Sequence, residues 1–153
     1  MGPKVLVLVG SESDREAMQG CLDYLDKFGI DHEFKVSSAH RSPEKTRLVA
    51  MSARADGFRV IVCGAGMAAA LPGFVASLTS LPVIGVPLAG SHLSGVDSLH
   101  AIVQMPPGVP VATMAIGKAG AKNAAIFAAQ ILGVGSPEFE AKVDDFKAQL
   151  ASG

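Results

Sequence analysis

Three runs in this sequence carry unbroken apolar stretches at their centres: "KVLVLVG" (residues 4–10), "FRVIVCG" (58–64) and "LPVIGVP" (81–87). A strand with one wet face alternates apolar and polar residues, and these do not. Each must be covered on both faces, the signature of a parallel strand in the middle of a layered α/β fold. The chain between them supplies the covers. Apolar residues at Met18, Cys21, Leu22, Leu25 and Phe28 repeat with helical spacing, and Gly29 follows as a stop.

The same alternation continues to the end of the chain. "IDHEFKV" (30–36) reads as the second strand, and Ser42 is placed to N-cap a helix with Pro43 at its first position, running to Asp56-Gly57. "PVATMA" (110–115) reads as a fifth strand. Further helical stretches are expected near 68–79, 97–104 and 121–132, and a tail helix at about 137–150 opens at Ser136-Pro137. The expected fold is a three-layer α/β/α sandwich with a parallel, flavodoxin-like central sheet, in a single catalytic domain spanning residues 1–153.

Composition narrows the partners. The 153 residues are 49% hydrophobic and 18% charged, with a formal net charge of -1, which excludes both disorder and a basic nucleic-acid-binding face. From Arg59 to Lys118 the only charge in between is Asp97. Pro72, Pro82, Pro87, Pro106, Pro107 and Pro110 break that stretch well below the ~18 apolar residues of a membrane span. One small domain has little interior to hide so long an uncharged segment, so part of it is expected between subunits of a homo-oligomer, at the helix 121–132 or the 60s loop. Cys21 and Cys63 both read as buried free thiols; with no leader-like segment ahead of the first strand, they suit a reducing cytoplasm.

In a parallel sheet, ligands bind beyond the carboxyl ends of the strands, where three loops fall together. "GSESD" (10–14) opens a helix with hydroxyls and a carboxylate: either an anion or ribose site at the helix start, or plain capping by Ser11 or Ser13. "SSAHRSP" (37–43) sets His40, which can move protons near neutral pH, beside Arg41, whose guanidinium forks onto anions. "GAGMAAALPG" (64–73) has Gly64, Gly66 and Ala69 in dinucleotide-fingerprint spacing, but no acidic residue follows about 20 positions on, so that reading fails. What survives is close backbone approach to a small planar ligand, or a tight turn. His32, His92 and His100 read as surface or structural residues. Neither a nucleophile-elbow triad nor a metal-ligand spacing is present.

These loops and their order, with "GVDSLHAIVQMPPGVPVATMAIGKAGAKNAAIFAAQIL" (95–132), closely resemble the N5-carboxyaminoimidazole ribonucleotide (N5-CAIR) mutases of purine synthesis, over nearly residues 4–133. The resemblance implies that a carboxylate moves from the exocyclic nitrogen of an aminoimidazole ribonucleotide to the adjacent ring carbon, giving 4-carboxy-5-aminoimidazole ribonucleotide (CAIR), without ATP, biotin, metal or other cofactor. It implies His40 as proton shuttle, with Ser11, Ser13, Asp14, Ser38 and Arg41 holding the ribose phosphate. Gly66, Met67 and Ala68 would border the ring and CO2. It also implies an octamer of dihedral symmetry with sites between subunits, and N5-CAIR, AIR and CO2 as small-molecule partners. Many mutases read G-G-A-A-H-L-P-G where this chain has Gly66-Met67-Ala68-Ala69-Ala70-Leu71-Pro72-Gly73, so a second histidine is Ala70 here. A CO2-dependent AIR carboxylase and a non-catalytic nucleotide-binding homologue are the alternatives; Arg41 and the Gln104-Met105-Pro106 segment favour the mutase over the carboxylase.

Overall fold

The computed structural model describes residues 2–153. Five parallel strands run in the order β2-β1-β3-β4-β5: β1 (Lys4–Val9), β2 (Asp31–Val36), β3 (Phe58–Gly66), β4 (Val83–Leu88) and β5 (Ala112–Thr113). The three unbroken apolar runs are the three central strands, as double coverage requires. Within β1, Val5, Val7 and Val9 face one side while Leu6 and Leu8 face the other, all of them fully buried. β2 is an edge strand and its alternation is correspondingly more polar and more exposed.

Helices cover both faces. On the valine side lie α1 (Arg15–Lys27), α5 (Lys118–Gly133) and α6 (Pro137–Ala151); on the leucine side lie α2 (Pro43–Ser52), α3 (Leu71–Ala76) and α4 (Val96–Val103). The alanines of α5 at 121, 124, 125, 128 and 129 are all buried, which lets α5 lie close against α1, α6 and the sheet. That small-residue face is used inside the protomer. Its other face, with Ile126, Phe127 and Ile131, is only half-buried. Both cysteines are buried and unpaired, and burial pushes the Cys21 thiol up to about 12 and Cys63 higher still.

Several expected boundaries shift for identifiable reasons. The fifth strand shrinks from 110–115 to two residues, because Pro110 cannot donate to a ladder and only Ala112 and Thr113 pair with Ile84 and Gly85. Past that pairing, Met114 N–H still donates to the Gly85 carbonyl at 2.9 Å. α3 is shorter than the 68–79 stretch because residues 67–69 form a turn, with φ at +52° for Met67 and +26° for Ala69. α2 ends at Ser52, and the chain reaches Gly57 through turns. Ser42 does stand at the N-cap with Pro43 behind it, but its hydroxyl makes no capping bond. Among the described residues no helix is long and apolar enough to cross a membrane.

Candidate active site

The carboxyl ends of β1, β2, β3 and β4 open into one cleft of about 500 Å3. Ser11, Asp14, Ser38, His40, Arg41, Gly66, Met67 and Ala68 all line it, so the three loops chosen from sequence meet. Ser13 is the exception. It stands behind Ser11, with the two hydroxyl oxygens 2.9 Å apart and its own amide donating to Ser11 Oγ at 3.3 Å. Ser11 therefore caps the short 3-10 turn Glu12–Asp14 that leads into α1 and at the same time faces the cleft.

Arg41 ties the first two loops together. Its Nη2 donates to the Gly10 carbonyl at 2.7 Å and its Nε to Ser38 Oγ at 3.4 Å, while its backbone N–H donates to the same hydroxyl at 3.0 Å. The charge is thereby fixed in place before any ligand arrives. Burial raises the Asp14 carboxyl above its usual value, and the nearby Arg41 guanidinium partly opposes this. No hydrogen bond from another described residue engages the His40 ring, which is exposed toward the cleft.

Beneath the His40 loop is a support that the sequence reading did not single out. Ser37 and Thr46 are buried polar residues, and their hydroxyls lie 2.6 Å apart. The Thr46 hydroxyl also lies 3.0 Å from the carbonyls of both Ser38 and Ser42. With one proton to donate, it serves one carbonyl at a time and pins the loop from below. The only sequence signal is a threonine one turn after the loop serine, which is common in any helix. Gly90, after β4, is a further lining residue that was missed. The strand-end rule that located the other three loops would have found it too.

The remaining histidines stay out of the cleft. His32 Nδ1 lies 2.9 Å from the Ile30 carbonyl and its Nε2 is 3.6 Å from Asp26, a local structural role. His92 and His100 are exposed. The Ser91 hydroxyl donates to Asp97 Oδ2 at 2.8 Å and ties the loop after β4 to the start of α4. No group of three or more His, Cys, Asp or Glu side chains gathers as a metal site among the described residues.

Comparison with known proteins gives the family and agrees with the fold. The AIR carboxylase family model matches residues 4–152. A Saccharolobus solfataricus N5-carboxyaminoimidazole ribonucleotide mutase is 54% identical over 97% of this chain and 92% of its own. The Pseudomonas aeruginosa protein of the same name is 53% identical over 97% and 91%. Among solved structures, Treponema denticola PurE superposes with a TM-score of 0.90 at 28% identity, covering 99% of this chain and 93% of that one.

Proposed function

The chain belongs to the AIR carboxylase family, and on that premise we propose that it is an N5-carboxyaminoimidazole ribonucleotide mutase, producing CAIR in purine biosynthesis. The observation that carries the reading is the cleft. In a chain half identical to proteins of that name over nearly its full length, it brings an unengaged His40 together with a pre-fixed Arg41.

The chemistry asked of the cleft is balanced. The N–C bond of the carbamate breaks, its electron pair returns to nitrogen, and His40 supplies the proton that nitrogen takes up. The ring carbon then attacks the CO2 just released, and His40 removes the proton from that carbon. One proton is lent and recovered, so the isomerisation consumes no oxidant and calls for no resident cofactor. Arg41, with Nη2 and Nε engaged on Gly10 and Ser38, holds the phosphate through its remaining N–H groups. Ser11, Asp14 and Ser38 hold the ribose phosphate with it, and Ser13 acts through Ser11. The backbone of Gly66, Met67 and Ala68 borders the ring and CO2.

The active form is a homo-oligomer, of eight chains if it follows the resemblance. Its support is the leucine side of the sheet, where α2 leaves Leu48 and Met51 exposed and α4, with the loop before it, leaves Leu93, Val96 and Val103 exposed. A contact there would add to the one expected of the helix 121–132 or the 60s loop. The two unpaired buried thiols suit a reducing cytoplasm.

A spectroscopic assay supplied separately with the carbamate and with AIR plus bicarbonate tests the assignment. Product formed from the carbamate far faster than from AIR and bicarbonate supports it. The reverse preference replaces it with a CO2-dependent carboxylase, and binding without turnover in either assay leaves a nucleotide-binding module.

A further inference from the structure

No described residue hydrogen-bonds the His40 ring, so its aim is set by the backbone of its loop. Two hydroxyls buried under that loop reach this backbone: Ser37 is 2% exposed and Thr46 0%. Ser37 is tied to the sheet, its N–H donating to the Val9 carbonyl at 2.8 Å. Its hydroxyl lies 2.6 Å from that of Thr46, which in turn lies 3.0 Å from the Ser38 and Ser42 carbonyls. Carbonyls only accept, so Thr46 donates to one of them and Ser37 must donate to Thr46. The order is thereby fixed: sheet, Ser37, Thr46, loop. Both carbonyls already take backbone N–H groups, from Ser42 at 2.9 Å and Thr46 at 3.1 Å, so the hydroxyl is a second hold on a turn that closes without it. From the cleft side, Arg41 grips the same Ser38 through its hydroxyl. His40 stands in sequence between these two holds. The two buried hydroxyls belong to one protomer, so a neighbouring subunit over the cleft leaves them as they are.

We infer that Thr46, oriented by Ser37, is a positioning residue for His40, and that the two hydroxyls act only as a pair. This rests on the mutase reading, in which one ring first gives a proton to the exocyclic nitrogen and then takes one from the neighbouring carbon. A group that serves two adjacent atoms tolerates little displacement, because each transfer needs hydrogen-bond reach. Losing Thr46 alone strands the buried Ser37 proton. The acceptors left in this cluster are the Ser38 and Ser42 carbonyls, so the stranded hydroxyl draws the loop out of register. Losing both hydroxyls strands nothing, and the turn closed by the Ser42 N–H keeps the loop near its place. The reaction requires the loop to be held, not the hydroxyls as such. The phosphate hold is separate, since Arg41 is also fixed by the Gly10 carbonyl at 2.7 Å.

Steady-state kinetics on the carbamate, with the solvent deuterium isotope effect on kcat, test the pair. Thr46→Val should lower kcat roughly tenfold with KM near wild type, inside the ~10²-fold that a misplacement of about 1 Å can cost. Its solvent isotope effect should rise, because proton transfer slows relative to the other steps; lost stability alone moves neither value below the melting range. Thr46→Ser keeps the hydroxyl and should restore both. Ser37→Ala combined with Thr46→Val should return kcat to within about threefold of wild type, since replacing both partners of a buried hydrogen bond is nearly neutral. Thr46→Cys, whose thiol donates only weakly, is read in the same way if the valine variant does not fold. Unchanged kcat in Thr46→Val overturns the inference, as does a double variant slower than Thr46→Val alone. Turnover of AIR plus bicarbonate but not of the carbamate overturns the mutase reading instead; the same ring proton is removed there, so the variants are compared on those substrates. No turnover of either overturns both.

Discussion

The two faces of the sheet are covered unequally. On the valine side, α1, α5 and α6 run 13, 16 and 15 residues, and α5 alone buries eight. On the leucine side, α2, α3 and α4 run only 10, 6 and 8 residues; α2 buries Thr46 and Ala50, and α4 buries Ser98 and Ile102. α4 approaches β4 so closely that a Cβ on Gly85 would lie 2.5 Å from Ile102 Cγ2, yet its outer surface carries exposed Val96 and Val103. The first side is a finished core. The second is a thin cover that still presents apolar surface, and two of the three site loops, Ser37–Ser42 and Gly66–Ala70, lead directly into its helices. The longer helices cover one face, while two of the site loops and most of the exposed large apolar side chains lie on the other.

That division can be broken by mutation, and the largest effect is expected at the site. His40→Asn should lower turnover by ~10²–10⁴-fold, the usual worth of a general acid–base group. It should leave the thermal midpoint and nucleotide affinity near wild type, as judged by steady-state kinetics beside a titration with AIR. Near-wild-type turnover would remove His40 from the mechanism. Leu25→Ala tests the finished side: fully buried on α1, it should cost ~2–5 kcal/mol in a denaturant titration. Any folded fraction should keep its KM, and a loss of turnover with stability unchanged would show that the two faces are not separable.

Leu48→Glu combined with Val103→Glu probes the thin side. Both positions are exposed in the protomer, so each change should alter protomer stability by no more than ~0.5 kcal/mol. Sedimentation should instead show smaller assemblies, moving toward the 15.6 kDa chain. An intact oligomer would place the subunit contact on another surface, and an active wild-type monomer would remove the oligomer altogether.

The smallest effect expected is at Asp14. Burial raises its folded-state pKa, so the ionised form destabilises the fold; the stability present when it is protonated is lost as pH rises through the raised value. Asp14→Asn should therefore melt slightly higher than wild type at neutral pH, an advantage that disappears as pH falls below the usual carboxyl value of 3.8, while substrate binding weakens. A variant that melts lower at neutral pH would mean that Arg41 outweighs burial.

The unbroken apolar runs determined which strands are central, because a strand without polar positions has nowhere to sit except between two layers. Strand-end glycines and polar loops then located the cleft, since a parallel sheet gathers those ends on one edge. His40 and Arg41 were legible as chemistry because they stand side by side in an otherwise uncharged loop at a strand end. What the sequence left open depended on partners distant along the chain. Whether Ser13 touches the cleft or stands behind Ser11 turns on one 3-10 turn, and Thr46 supports the His40 loop only because β2 delivers Ser37 to within 2.6 Å of it. The alanines of α5 could equally have faced another subunit. Only packing against α1, α6 and the sheet showed that they are buried within the protomer, because small residues signal a close approach without saying to what. The resemblance placed Met67 beside the ring and CO2 through its backbone alone. Its left-handed backbone and its exposure at the rim of the cleft are properties of the folded turn alone, where a φ value and a neighbouring space decide what a side chain can reach.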